Sequence, residues 1–243
     1  MKVYIHSLSF VLMLIFSLNV MAQQKGSVWI NGEAGLNSTW ILNQNAYGNQ
    51  ETEYATSFGS TGGVGLSYFK NREWGMKGAV YMSRLGQDYS GEQGGALAKR
   101  KVNLTYIEVP FMLMRQIPYR EYPTWISAGP NIMVLLKAKQ EYSRDGGSEL
   151  PNPDGMASGE VTERFKPVDV ALNFSLNRMV ELNYSRSLMF LFSINSSFGL
   201  LDINSKEYQL PNTHDIYGSS HNFYIGVKFG LMFKVGRIGG SRW

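Results

Sequence analysis

Hydrophobic and polar residues alternate with a period of two along most of this chain, most regularly in its last long stretch, Asn222 to Val235, NFYIGVKFGLMFKV. Phe223, Ile225, Val227, Phe229, Leu231, Phe233 and Val235 hold every second position, with Asn222, Tyr224, Gly226, Lys228, Gly230, Met232 and Lys234 between them. That is the period of a strand with two unlike faces. The stretch is about twice the roughly 5 to 6 residues usual in soluble sheets, and it covers the roughly 9 to 11 residues that a tilted strand needs to cross a bilayer.

Seven more strands are predicted upstream, at about 27–40, 58–69, 74–85, 100–116, 124–142, 165–181 and 188–200. In the first, Val28, Ile30, Ala34, Leu36 and Trp40 alternate with Asn31, Glu33, Asn37 and Thr39; in the sixth, Val168, Val170, Leu172, Phe174 and Leu176 alternate with Asp169, Asn173 and Ser175. Long polar connections are expected at 41–56, 86–99, 143–164 and 202–221, and tight turns at 70–73, 118–122 and 183–187. The connections therefore run long, short, long, short, long, short, long. In an up-and-down barrel every other connection lies at the same end, so one end has short turns and the other long loops. The pattern predicts an all-β fold, an antiparallel transmembrane barrel of about eight strands with both termini on the short-turn, periplasmic side. The alternative with the same alternation is a soluble lipocalin-like ligand-binding barrel, its faces exchanged.

The N-terminus supports export. A basic start at Lys2, an apolar run from Val11 to Phe16 and a small residue at Ala22 before the polar Gln23-Gln24-Lys25 read as a signal peptide, residues 1–22. Residues 23–243 are expected to form one barrel domain. Without cysteine, the exported chain has neither disulfides nor a lipidated cysteine. A net charge of +4 without a basic run makes nucleic acid an unsuitable partner. The 26 glycines and 13% aromatic content suit many strands and tight turns. The expected partner is outer-membrane lipid, around a monomeric barrel in the bacterial outer membrane with its long loops extracellular.

If the apolar faces meet lipid, Glu33, Lys77, Glu108, Lys137, Asp169 and Lys228 point inward as a charge network, with Glu33 and Lys228 placed to pair across the closing strands. About eight strands leave an interior just filled by side chains, so these charges form a plug. Pro110 and Pro130 remove ladder donors and are expected at a bulge or kink. Trp29, Trp40, Tyr68, Trp74, Tyr119, Tyr122, Trp125 and Tyr142 sit toward strand ends, where aromatic girdles form. Catalysis is not expected: the run from His214 to His221 has no Gly-x-Ser-x-Gly elbow beside it. The acidic 143–164 loop, with Asp145 and Asp154, fits no calcium-loop spacing, and no cofactor is implied.

Tyr106-Ile107-Glu108-Val109-Pro110-Phe111-Met112-Leu113, Ser127-Ala128-Gly129-Pro130-Asn131, Phe165-Lys166-Pro167-Val168-Asp169 and Phe198-Gly199-Leu200-Leu201-Asp202-Ile203 fall in four strands or their ends. Together they resemble the PorT-like outer-membrane β-barrel family, although Ala171 and Asn173 stand where glycines are common there. The resemblance implies a porin-like outer-membrane barrel. It also implies, through the family's namesake, a link to type IX protein secretion and to other envelope proteins as partners.

Overall fold

The computed structural model describes residues 26–43, 53–93, 96–117, 124–145, 158–209 and 217–238. The expected signal peptide, Tyr119, Tyr122, Asp154, His214 and Asp215 lie outside them. Eight long strands close into one antiparallel ring: β1 (Gly26–Leu42), β3 (Phe58–Phe69), β4 (Trp74–Gln93), β5 (Ala96–Gln116), β6 (Thr124–Arg144), β8 (Val168–Glu181), β9 (Leu188–Gly199) and β10 (His221–Ile238). Each pairs with the next in this order, and β10 closes on β1 from Gly26–Ile238 to Leu42–His221. Two short strands, β2 (Glu53–Ala55) and β7 (Gly159–Glu160), extend β4 and β6 at the long-loop end.

The connection expected at 86–99 is a correction: residues 86–93 and 96–99 are strand. β4 and β5 stay paired to Gln93 and Ala96, and β6 follows β5 to Arg144, so a three-stranded tongue rises above the rest of the ring. The hydrophobic alternation fades at Gly86 because outside the bilayer no face meets lipid. The backbone ladder needs no such pattern to continue.

Within the ring the faces are sharply divided. Leu36 (65% exposed), Val64, Phe111, Phe174 and Phe229 point outward, whereas Asn31, Glu33, Asn131, Asn177 and Asn222 are buried inside. A soluble barrel has the reverse arrangement, so the lipocalin-like alternative fails on this observation. The two prolines interrupt the ladder without a bulge. Pairing lapses at Ala79–Val80 opposite Val109–Pro110 and at Phe111–Met112 opposite Gly129–Pro130, yet the register on either side is unchanged. The bulge lies higher, where Thr105 faces Lys137 and Tyr106 faces Leu135, leaving Leu136 as the extra residue. One extra residue reverses every side chain beyond it. Ala138 and Gln140 therefore point inward, and Lys137 and Lys139 outward.

Candidate functional site: the plugged interior

The barrel interior is built in three tiers. At the short-turn end Trp29, Phe69, Met114, Trp125, Met179, Leu191 and Met232 form an apolar floor, with the Phe69 and Trp125 rings 4.8 Å apart. Trp29 and Trp125 are 3% and 5% exposed, so they belong to this floor and not to a girdle. Trp40, Tyr68 and Trp74 do face outward near strand ends.

The middle tier is polar. Successive register partners Glu33, Gly63, Tyr81, Glu108, Met133 and Asp169 run across β1, β3, β4, β5, β6 and β8 as one inward row holding three carboxylates. Glu33 is bonded to the Lys77 ammonium and the Asn31 amide, and accepts a hydrogen bond from the Tyr81 hydroxyl at 2.9 Å. Glu108 accepts from the Asn131 amide at 2.6 Å and the Tyr224 hydroxyl at 3.0 Å. The Asn222 amide donates to Asp169 at 3.0 Å and to the Tyr106 hydroxyl at 3.1 Å.

Five of the six expected interior charges are there, and two details differ. Lys228 is buried, but its ammonium lies over the Tyr81 ring, 4.3 Å from the centroid, while Glu33 takes Lys77 as its partner. Glycines shape this choice: the Glu33 stem lies over Gly230 and the Lys228 stem over Gly35, where a Cβ would meet them at 2.6 and 2.8 Å. Lys137, turned outward by the bulge, is 45% exposed and pairs with Glu160 at 3.0 Å.

The third tier is an apolar lid at the long-loop end, and the sequence reading missed it. Val161, Phe165 and Ile203, all 4% exposed or less, reach in from the connections and join Ile41, Leu104, Tyr106 and Leu135. Their signal was present: each is an isolated apolar residue in a polar segment. Asp202 anchors this lid. Its carboxylate accepts from Tyr217 at 2.7 Å, Gln209 at 2.6 Å and the Ser220 and Asn204 backbone N–H groups at 3.1 and 3.2 Å, with Lys166 at 3.7 Å.

Burial pushes the Asp202 carboxyl up, but Tyr217, the two backbone donors and Lys166 outweigh it, so it titrates below its ordinary 3.8. Burial and Asp202 in turn push the Tyr217 hydroxyl up to about 12. A carboxyl whose folded value is depressed stabilises the fold fully above its unfolded value, and that support is lost as pH falls through the lower, folded value. Asp202→Asn is therefore expected to speed trypsin cleavage at Lys206 at neutral pH by about fivefold, the effect of losing roughly 1 kcal/mol of hydrogen bonding. Under pepsin, at a pH low enough to protonate the carboxyl in the folded protein as well, wild type and variant should be cut at the same rate.

Outside the barrel, a cleft of about 490 Å³ on the tongue is lined by Asp88, Tyr89, Lys99, Arg100, Lys101 and Glu141 among others. Asp88, Lys101 and Glu141 are register partners of alternating sign. Among the described residues no cluster of three or more His, Asp or Glu side chains could hold a metal ion.

A polar, plugged interior inside an apolar, exposed belt defines an integral outer-membrane β-barrel. The chain belongs to the family described as outer membrane protein beta-barrel domain, whose profile matches residues 21–205. Solved structures similar to it include Neisserial surface protein A, at 9% identity and TM-score 0.45, covering 86% of this chain and 99% of that one. OprG from Pseudomonas aeruginosa is similar at 12% identity and TM-score 0.38, covering 88% and 98%. The attachment invasion locus protein Ail of Yersinia pestis, solved with the heparin analogue sucrose octasulfate, is similar at 13% identity and TM-score 0.33, covering 87% and 100%. No protein of curated function matches the chain.

Proposed function

We propose that this protein is a porin-like but closed outer-membrane barrel, non-catalytic and monomeric, that acts as a structural element and through contacts of its long-loop end. The observation that carries this reading is the three-tier interior, in which an apolar floor and an apolar lid seal a polar middle. In this reading the short turns and both termini are periplasmic and the long loops extracellular. Reconstituted in planar bilayers, the wild-type barrel is expected to show no stepwise conductance; a steady large step would overturn the closed reading. The cysteine-free chain also allows a direct test of orientation. Lys206→Cys should react with a membrane-impermeant maleimide on intact cells and Ser185→Cys should not.

A second reading, an accessory role in a PorT-type secretion complex, is favoured by where the resembling segments fall. Tyr106, Glu108, Asn131, Phe165, Asp169 and Ile203 all converge on the polar middle and its lid. Deletion of the gene should then abolish export of cargo, and unchanged export would remove this reading.

A further inference from the structure

The two ends of the barrel differ in charge. At the short-turn end Arg186 is bonded to Glu181 at 3.1 Å. Apart from that pair, Lys70, Arg72, Arg115, Arg178, Lys234 and Arg237 stand against Glu73 alone among the described residues. Two of the arginines are also placed by a rule. On β5 and β8 an outward apolar residue near the short-turn edge of the belt, Leu113 or Leu176, is followed two positions on by Arg115 or Arg178. A step of two keeps the side chain on the same face. Both arginines are exposed and point sideways, at the edge of the lipid-facing belt and not down from the turns, whereas Arg237, beyond the extra residue Val235 of β10, pairs with Ser27 on the inward side. The Arg115 guanidinium lies 5.0 Å from the centroid of the Trp74 ring, its register partner on β4. A ring at that height sits at the level of headgroups, and the pair presents a planar cation there.

We propose that this rim binds anionic phospholipid headgroups through their phosphates, holding the barrel at a fixed depth. The chemistry follows from position: a guanidinium offers paired donors to phosphate oxygens, and outward arginines at a belt edge meet no other anion as regularly as lipid phosphate. An acidic soluble partner would engage the turn-tip cations Lys70 and Arg72, whereas Arg115 and Arg178 flank the hydrocarbon. The inference rests on the membrane-spanning reading, and on the proposed orientation only for which leaflet supplies the lipid.

The test uses the whole folded protein in vesicles, where both leaflets share one composition and orientation does not matter. Trp74 faces lipid at the rim, so a background with Trp40→Phe and Trp243→Phe leaves it as the lipid-facing reporter, Trp29 and Trp125 being buried. Fluorescence quenching by brominated phosphatidylglycerol is compared with quenching by brominated phosphatidylcholine. The expected result is at least about a threefold preference for the anionic lipid, shrinking as salt is raised from 0.05 to 0.5 M as screening requires. Arg115→Gln with Arg178→Gln should bring the ratio to about one, while Arg84→Gln, at the other end, should leave it unchanged. The heat-dependent gel shift of a closed barrel verifies folding, and Arg115→Gln alone serves if the double variant fails it. Equal quenching by the two lipids in the unsubstituted rim overturns the proposal, as does a preference that survives the double substitution. Neither result bears on conductance or maleimide accessibility.

Discussion

Glu33→Ala is expected to destabilise the barrel by about 3 to 5 kcal/mol, because it strands a buried ammonium without its carboxylate. Glu33 carries three partners at once, Lys77, Asn31 and Tyr81, and its side chain is 1% exposed against 10% for Lys77. Removing it leaves Lys77 and Lys228 facing one another's charge across the Tyr81 ring. The alternative, that the interior is wet enough for Lys77 to stay hydrated, would make the substitution cost less than about 1 kcal/mol, as for an exposed pair. Urea unfolding of vesicle-inserted protein, read by the heat-dependent gel shift, separates the two. The double variant Glu33→Ala with Lys77→Met should recover part of the loss, since it withdraws one stranded charge. If the double variant is instead as unstable as the two single losses added together, the pair is not coupled and the ion-pair account fails.

The direction of each side chain was largely legible from periodicity, since a strand in a bilayer must show lipid one face only. Glu33, Lys77, Glu108, Asp169 and Lys228 were placed inward on that ground, and the structure puts them there. Lys137 is expected inward by the same period but faces outward, because Leu135 and Leu136 are both apolar and a one-residue slip between them leaves no mark on the pattern. Its consequence is large: the bulge sends two lysines outward and brings Gln140 to the buried Arg100, a 2.9 Å hydrogen bond. The partner of Glu33 was illegible for a different reason. β1 has neighbours on both sides, and sequence distance says nothing about which side a flexible glutamate leans toward. The tongue escaped notice because hydrophobic alternation reports lipid contact, not strand pairing. The lid escaped because three separated apolar residues have no period at all.

Gly63→Ala is expected to cost about 3 kcal/mol or more, although it adds a single methyl group. Gly63 sits in the inward row between Glu33 and Tyr81, its register partners on either side. A Cβ there would stand 2.0 Å from the Val80 carbonyl oxygen and 2.7 Å from both Cα and Cδ1 of Tyr81. The first two are backbone atoms fixed by the β3–β4 ladder, so either the strands part or the Tyr81 ring swings away. Overpacking of a tight site costs typically about 1 to 3 kcal/mol. Moving the ring adds the loss of a hydrogen bond to a buried carboxylate, roughly another 1 to 3 kcal/mol. It also removes the aromatic face on which Lys228 rests. Gly32, one position from Glu33, supplies the contrast: it points outward and a Cβ there meets nothing within 4 Å. Gly32→Ala should therefore be neutral or stabilising by up to about 1 kcal/mol, through the unfolded chain alone. The mechanism is tested by adding Tyr81→Phe to each. If Gly63 is small in order to seat the Tyr81 hydroxyl on Glu33, Tyr81→Phe will cost clearly less in the Gly63→Ala background than in wild type. Equal costs in the two backgrounds would mean that the glycine serves strand approach only, and that the Tyr81 contact to Glu33 is independent of it.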